Sequence, residues 1–194
     1  MTLKNDQTYI DQIIKGDANA FAFLVEKYKT MVFTLALKML KSREEAEEIS
    51  QDTFIKAYKS IDKFKGDSKF STWLYKIAYR TCLDSIKKNG KKYQTGTIDE
   101  ITINQIKSTD GILETIERKE RAVIINKCLI ELPEEERSII WLFYFEELSL
   151  KEIIEITELS EANVKVKLHR ARKRLLAIVE KSVEPELISH YGRK

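Results

Sequence analysis

The sequence has few of the residues that interrupt regular structure. It contains 6 Gly and 2 Pro in 194 residues, which is little for the many tight turns that a sheet protein needs. It is 43% hydrophobic and 34% charged, so it can bury a core under a surface richer in charge than the roughly 25% of an average globular protein. These figures predict an all-α chain.

Cysteines and long apolar stretches are also scarce. Cys82 and Cys128 are too far apart for a C-x-x-C motif or a disulfide-rich scaffold, and we expect both to be ordinary packed thiols. The longest apolar run, "IIWLFYF", is far shorter than the ~18 residues of a membrane span, and the polar N-terminus does not resemble a signal peptide. These absences predict a cytoplasmic protein.

A polar, glycine-containing segment divides the chain. Three of the six glycines fall between 90 and 111, where no helical period is sustained. A structureless stretch of this length is unusual inside one compact domain. We therefore predict two small helical domains, at 1–92 and 116–182, joined by a flexible linker at 93–115 and followed by a tail at 183–194.

The N-terminal part has the pattern of several helices. Between Asn19 and Leu40, apolar residues recur at spacings of three and four, which predicts one helix with a buried face. Ser42 and Glu45 match a capping box at the start of a second helix. After the glycine at 66, Ser71 or Thr72 could cap a third helix.

The C-terminal part has the pattern of a helix-turn-helix. "IIWLFYF" is bracketed by glutamates with no turn signal before Ser149, which favours a buried helix after Pro133 over a strand. Ser149 and Glu152 form a second capping box, opening a short helix, and Ser160 caps a longer one. A short helix, a tight turn and a longer helix are typical of this DNA-binding unit.

Charge reverses sign at the turn of this unit. From 131 to 158 there are nine acidic residues against two basic ones, and from 161 to 181 seven basic against two acidic. A helix with one apolar and one cationic face suits the major groove of DNA, although a solvated basic helix has the same composition. We expect His169 to be an exposed groove residue, since no acid or cysteine completes a metal-ligand set.

A second basic segment mixes cations with aromatic rings. From 56 to 92 there are eleven Lys or Arg and three Asp. The rings within it are Phe64, Phe70, Trp73, Tyr75 and Tyr79. Cations beside rings on which bases can stack favour single-stranded nucleic acid, while the alternative is a core surrounded by lysines. We expect Trp73 to be mostly packed and some of the other four rings to be exposed.

Two other functions remain open at this point. A helix-turn-helix activator that needs no polymerase contact would leave the basic-aromatic segment without a role. A nuclease would need clustered carboxylates or metal ligands beside the basic surface, whereas Asp62, Asp67 and Asp84 are scattered.

Several stretches, in a fixed order, carry a resemblance to a known family. They are "GDANAFAFLVEKY", "EEAEEISQDTFIKAYKSIDKFKGDSKFSTWLYKIAYR", "LPEEERSIIWLFYFEELSLKEIIEI" and "LSEANVKVKLHRARKRL". At these spacings, from about Ile13 to Val179, the chain resembles the extracytoplasmic-function sigma factors of bacterial RNA polymerase. The resemblance implies a promoter-specificity subunit with no catalysis and no cofactor of its own.

The resemblance also implies three sets of contact residues. The clamp helices of the largest polymerase subunit would be bound by Glu48, Ile49, Gln51, Asp52 and Ile55. The opened −10 element would be bound by Lys56, Lys63, Gly66, Asp67, Ser68, Lys69, Phe70, Ser71, Trp73, Tyr75 and Arg80. In the −35 duplex, the base edges would be contacted by Lys165, Val166, His169 and Arg170, and the phosphates by Arg137, Lys151, Lys167 and Lys173.

Further partners implied by the resemblance are the polymerase flap and an anti-sigma factor, often membrane-anchored. Four positions depart from the family pattern. Arg80 stands where many relatives have Asn, Ile154 replaces a small Ala, Asn163 replaces Thr or Ser, and Val166 replaces a small polar residue. Together these departures leave the promoter sequence open. Val166 can make only apolar contacts, for example with a thymine methyl.

Overall fold

The computed structural model describes residues 5–89 and 124–182, and within these two ranges the regular structure is helical throughout. The elements are α1 Asp6–Ile14, α2 Ala20–Leu40, α3 Arg43–Lys59, a 3₁₀ turn Ile61–Lys63, α4 Phe70–Asn89, α5 at 124–130, α6 Glu134–Tyr144, α7 Leu150–Thr157 and α8 Glu161–Ser182. The all-α prediction is confirmed. The predicted linker and C-terminal tail lie outside the described residues.

Most of the predicted helix starts are confirmed by their caps. The Ser149 hydroxyl accepts from the Glu152 amide at 3.3 Å, and the Glu152 carboxylate accepts from the Ser149 amide at 3.0 Å, so this capping box is complete. The Ser42 hydroxyl accepts from the Glu45 amide at 3.4 Å, which forms one half of the predicted capping box, and the Ser160 hydroxyl accepts from the Asn163 amide at 3.3 Å.

The predicted cap of α4 is wrong by one or two residues. The helix begins at Phe70, so Ser71 and Thr72 lie within its first turn. Phe70 is 3% exposed and its ring packs 5.5 Å from the ring centres of Tyr28 and Phe64. The burial of Phe70 accounts for the early start, because this ring reaches the core from the first helical position.

Helix α2 is the centre of the N-terminal half. Its apolar stripe faces inward, with Leu24, Val32, Leu35 and Met39 each at most 1% exposed, as the spacing predicts. Helices α1, α3 and α4 pack around it. The "IIWLFYF" run is helical too, since it lies mainly within α6, whose Ile139, Ile140 and Leu142 are buried.

The two halves pack against each other in this arrangement. Helix α2 contacts α6, and α4 contacts α7. The largest hydrophobic cluster therefore joins residues of the N-terminal half to Ile139, Leu142, Ile153 and Ile156 of the C-terminal half. A sequence division into two domains does not reveal this contact.

Helices α7 and α8 form the predicted helix-turn-helix. The chain turns at Glu158, whose φ of 59° lies in the left-handed region. On the far side of the turn Val164, Leu168 and Ala171 are buried, so α8 has the apolar inner face that the sequence predicts. The opposite face of α8 remains exposed.

Candidate polymerase and DNA interfaces

One face of α3 presents most of the predicted polymerase contacts. Glu48, Gln51, Asp52 and Ile55 are exposed, and their spacing of three, four and seven places them on one side of the helix. Ile55 is 51% exposed, so this face combines an apolar side chain with acidic and amide groups. Ile49 is only 7% exposed and belongs to the core cluster, so its side chain packs inward instead of forming this surface.

Two grooves flank this face of α3. Between α2 and α3 lies an open, largely apolar groove of about 530 Å³, whose lining includes Val25, Phe33, Gln51 and Phe54. On the other side, between α3 and α4, is a smaller charged groove of about 300 Å³ that includes Asp52. The apolar groove was missed at the sequence level because its residues come from two helices and none forms a motif.

The predicted −10 surface is built on the loop before α4 and on α4 itself. Gly66 has φ 77°, a conformation that glycine adopts without strain. The exposed members of the set are Lys56, Lys63, Gly66, Asp67, Lys69 and Arg80, and the half-buried ones are Ser68, Ser71 and Trp73. The Lys56 amine donates to the Thr81 hydroxyl at 3.2 Å.

The aromatic rings are more deeply buried than the sequence predicts. Phe70 is 3%, Tyr75 2% and Tyr79 2% exposed, and Phe64 is half-buried, so the expectation that some of these four rings face solvent is wrong. Trp73 and Phe64 are half-buried, and their ring centres lie 5.5 Å apart. The reason is that α4 packs on α2 and α3 along one side and on α7 along another.

The cations of α4 are paired with carboxylates of the helix-turn-helix. Lys69 lies 2.9 Å from Glu152, and Lys76 lies 3.0 Å from Glu158. Arg80 also donates to Glu158. The Arg80 and Lys76 bonds lower the pKa of Glu158 to about 2, and the Lys69 and Ser149 bonds lower the pKa of Glu152 to about 2.

The predicted −35 surface lies on the outer face of α8. Its exposed residues are Lys165, Val166, His169, Arg170 and Lys173, and Lys151 is exposed on α7. Val166 is 45% exposed, so an apolar side chain is presented among the cations. Lys167 is half-buried and forms a salt bridge with Glu135.

Arg137 does not belong to this surface. Its side chain is 1% exposed, and its guanidinium donates to the Ile130 carbonyl at 2.8 Å and the Met39 carbonyl at 3.2 Å. Both carbonyls lie at the C-terminal ends of helices, which lack intrahelical donors. The predicted phosphate contact is therefore corrected: Arg137 caps α2 and α5 inside the protein.

A second apolar groove, of about 450 Å³, lies on the C-terminal half. It is bounded by α5, α6 and the end of α8. Its most exposed apolar side chains are Ile125, Tyr144, Phe145 and Leu176, at 43% to 58%. Sequence reasoning missed it because the terminal rings of "IIWLFYF" were assigned to the core with the rest of the run.

The described residues offer no metal site and no membrane span. Over residues 5–89 and 124–182, no group of three or more His, Cys, Asp or Glu is placed to hold a metal ion. No helix in this part of the chain is long and apolar enough to cross a membrane. Cys82 and Cys128 are buried, and burial raises the pKa of Cys82 to about 12.

Two features define the class of this protein. One is the helix-turn-helix with its exposed cationic helix, and the other is the basic helical module beside it. Together they indicate a DNA-binding protein that acts in transcription. Two family models match the chain, Sigma-70 region 2 over residues 24–92 and Sigma-70 region 4 over residues 113–175. The chain belongs to the extracytoplasmic-function sigma factors of bacterial RNA polymerase.

Relatives and solved structures agree with this assignment. The chain is 38% identical over 172 residues to the ECF RNA polymerase sigma factor SigW of Bacillus subtilis, covering 86% of this chain and 92% of the relative. It is 31% identical over 187 residues to the ECF RNA polymerase sigma-E factor of Escherichia coli K12, covering 93% and 95%.

Two solved structures share its fold. CnrH, in complex with the cytosolic domain of CnrY, matches with a TM-score of 0.65 at 22% identity, over 92% of this chain and 99% of that one. The sigma factor RpoE of Bartonella quintana, in complex with the anti-sigma factor NepR, matches with a TM-score of 0.62 at 20% identity, over 82% and 96%.

Proposed function

We propose that this sigma factor directs initiation through three separate surfaces, one each on α3, α4 and α8. The exposed face of α3 and its flanking grooves bind the clamp helices of core polymerase. The loop before α4 and the cations of α4 hold the opened −10 strand. The outer face of α8 enters the major groove of the −35 element, where base contacts set sequence preference and phosphate contacts set register.

The observation that carries this proposal is the position of the three surfaces. Gln51 and Asp52 on α3, Lys69 in the loop before α4, and Arg170 on α8 are all exposed, so the three surfaces lie on separate elements. One chain can therefore contact polymerase and two DNA elements at once. The activator alternative is not favoured, because the N-terminal half matches Sigma-70 region 2.

Promoter binding requires the two halves to separate. The −10 and −35 elements are roughly 25 base pairs apart, or about 85 Å of B-DNA, whereas Lys69 and Glu152 are in direct contact. The residues at 90–123 could reach at most about 115 Å if fully extended. We therefore propose that the modules 1–92 and 116–182 separate in the transcribing complex and bind the −10 and −35 elements independently.

Two further partners complete the proposal. The apolar groove bounded by α5, α6 and α8 would receive an apolar segment of the polymerase flap. An anti-sigma factor would hold the free protein inactive, and the related RpoE is itself found in complex with the anti-sigma factor NepR. The protein would act in the cytoplasm, with the polymerase, and we assign it no catalytic step of its own.

The test is reconstitution with bacterial core polymerase and genomic DNA. We expect the protein to bind core and to yield specific transcripts. A double substitution, Gln51→Ala with Asp52→Ala, should abolish core binding and leave −35 duplex binding intact. The matched control is Gln7→Ala with Asp11→Ala, an exposed pair on α1 joined by a 2.8 Å hydrogen bond. Core binding that survives only in the control confirms the docking face, and survival in both variants contradicts it.

A further inference from the structure

Three cations along α4 are occupied by two carboxylates of the helix-turn-helix. Glu152 lies 2.9 Å from Lys69, and Glu158 lies 3.0 Å from Lys76 while also accepting from Arg80. Glu152 is on α7, and Glu158 is in the turn that precedes α8. The two acidic side chains thus reach across the contact between the halves.

The three cations form one row. Lys69 immediately precedes α4, and Lys76 and Arg80 lie on it. Because their separations are seven and four residues, the three lie on one side and span about 16 Å at ~1.5 Å per residue. Lysine and arginine bind phosphate oxygens and carboxylates through the same charge-assisted hydrogen bonds. A row of this kind follows a nucleic-acid backbone. Lys76 was not among the predicted −10 residues.

The backbone is strained in the turn at Glu158. Its φ of 59° is a left-handed conformation that is costly for residues other than glycine. The carboxylate held there contacts two cations of the other half. The unusual backbone and the ion pairs together single out Glu158 as a contact residue within the turn.

We propose that Lys76 completes a phosphate-binding row with Lys69 and Arg80, and that Glu152 and Glu158 occupy this row in place of the −10 strand when the halves are packed together. The proposal rests on the proposed function, since it names the DNA backbone as the ligand of α4. The helix-turn-helix then acts as an internal mimic of that backbone.

The two DNA surfaces differ in this packed arrangement. The outer face of α8, including His169 and Arg170, remains exposed, while the cations Lys69, Lys76 and Arg80 are each paired with a carboxylate. The free chain is therefore able to contact a −35 duplex but has its −10 cations already occupied. Binding of the single strand must displace both carboxylates.

The experiment measures single-stranded DNA binding by the full chain without polymerase. The probe is a fluorescein-labelled oligo-dT followed by anisotropy, because base stacking and backbone contacts tolerate any sequence. Glu158→Gln removes one of the two charges of the mimic, and with it the pairs to Lys76 and Arg80. Since each exposed ion pair changes an equilibrium by a factor of roughly 1.5 to 5, losing two pairs should tighten binding by about twofold to 25-fold.

The matched control is Glu147→Gln. Glu147 is exposed, also has a left-handed φ of 52°, and takes part in none of the salt bridges found among the described residues. This variant makes the same change in net charge, so it should bind the probe as wild type does. Equal affinities for the two variants overturn the proposal, as does weaker binding by Glu158→Gln.

Two further variants keep the result interpretable. Glu158→Gly removes the carboxylate while relieving the backbone, so it must reproduce the tighter binding even if Glu158→Gln folds poorly. In the Glu158→Gln background, Lys76→Ala should reduce the slope of log K against log salt by about 0.7, and an unchanged slope refutes the Lys76 contact. Failure of the proposed function would appear separately, as absent core binding and transcripts for wild type.

Discussion

Lys38 provides a direct test of how the two halves pack. Although it lies on α2, it is 5% exposed, and its amine donates to the Asn126 side-chain oxygen at 2.7 Å. The amine also lies 4.5 Å from the centre of the Trp141 ring. Within the described ranges no carboxylate forms a salt bridge with Lys38. Its charge is therefore buried where the two halves meet, and the groups that bind it are neutral.

The free-energy cost of this burial follows from the titration of the amine. Burial, and secondarily the charge of Arg137, lower the pKa of Lys38 from 10.5 to about 8. This shift corresponds to a penalty of about 3 kcal/mol on the charged amine in the folded state. Lys38→Met removes the charge and leaves an unbranched side chain that is one atom shorter. After subtracting about 1 kcal/mol for the lost hydrogen bond, we expect a net stabilisation of about 1–2 kcal/mol at pH 7.

The pH dependence has a defined sign. Below about pH 8 the amine is protonated in both states, so the folded state carries the whole penalty. Between pH 8 and pH 10.5 the folded state releases the proton first, and stability rises with pH. Lys38→Met should abolish this rise.

Urea unfolding at pH 7 and pH 9.5 measures both effects. A gain of 1–2 kcal/mol corresponds to a melting temperature higher by about 2–8 °C for a chain of this length. Lys65→Met, at an exposed loop position, is the matched control and should leave stability nearly unchanged. If Lys38→Met destabilises the protein at pH 7, or retains the rise of stability with pH, the account of a penalised buried cation is wrong.

Three more predictions follow from the described contacts. Arg137→Met should lower the free energy of unfolding by about 2–4 kcal/mol in urea, because two helix-end carbonyls lose their donor. It should leave the salt dependence of −35 duplex binding unchanged, and a weaker salt dependence would instead show that Arg137 contacts a phosphate. Arg170→Ala should cost about 1–3 kcal/mol and relax preference at one base pair, whereas a uniform loss for all sequences would make it a phosphate contact. The pKa of Glu152 and of Glu158 is lowered to about 2, so their ion pairs are present above pH 4.5 and lost toward pH 2; small-angle scattering should show wild type expanding over that range more than Glu158→Gln does.

The elements that sequence reasoning located correctly depend on local interactions. The period of α2, the complete cap at Ser149 and Glu152, and the inner stripe at Val164 and Leu168 each involve residues within a few turns of one another. Spacing along the chain is enough to predict these features, because the partner atoms are at a fixed helical distance.

The errors concern residues whose surroundings come from distant parts of the chain. A helical period predicts one buried stripe, but α4 has two covered sides, so Tyr75 and Tyr79 are buried instead of exposed. Arg137 directly follows three glutamates in the sequence and resembles a surface cation there. Its actual partners are carbonyls at the ends of α2 and α5.

The sequence by itself determined the helices, the helix-turn-helix, the charge reversal at its turn, and the membership of the sigma-factor family, because these features are recorded in short-range pattern and in ordered motifs. Only the tertiary structure decided which cations are available to DNA. Lys69, Lys76 and Arg80 are basic residues in any conformation, but Glu152 and Glu158 reach them only when α7 packs on α4. Such a pairing depends on distance in space, which separation along the chain does not record.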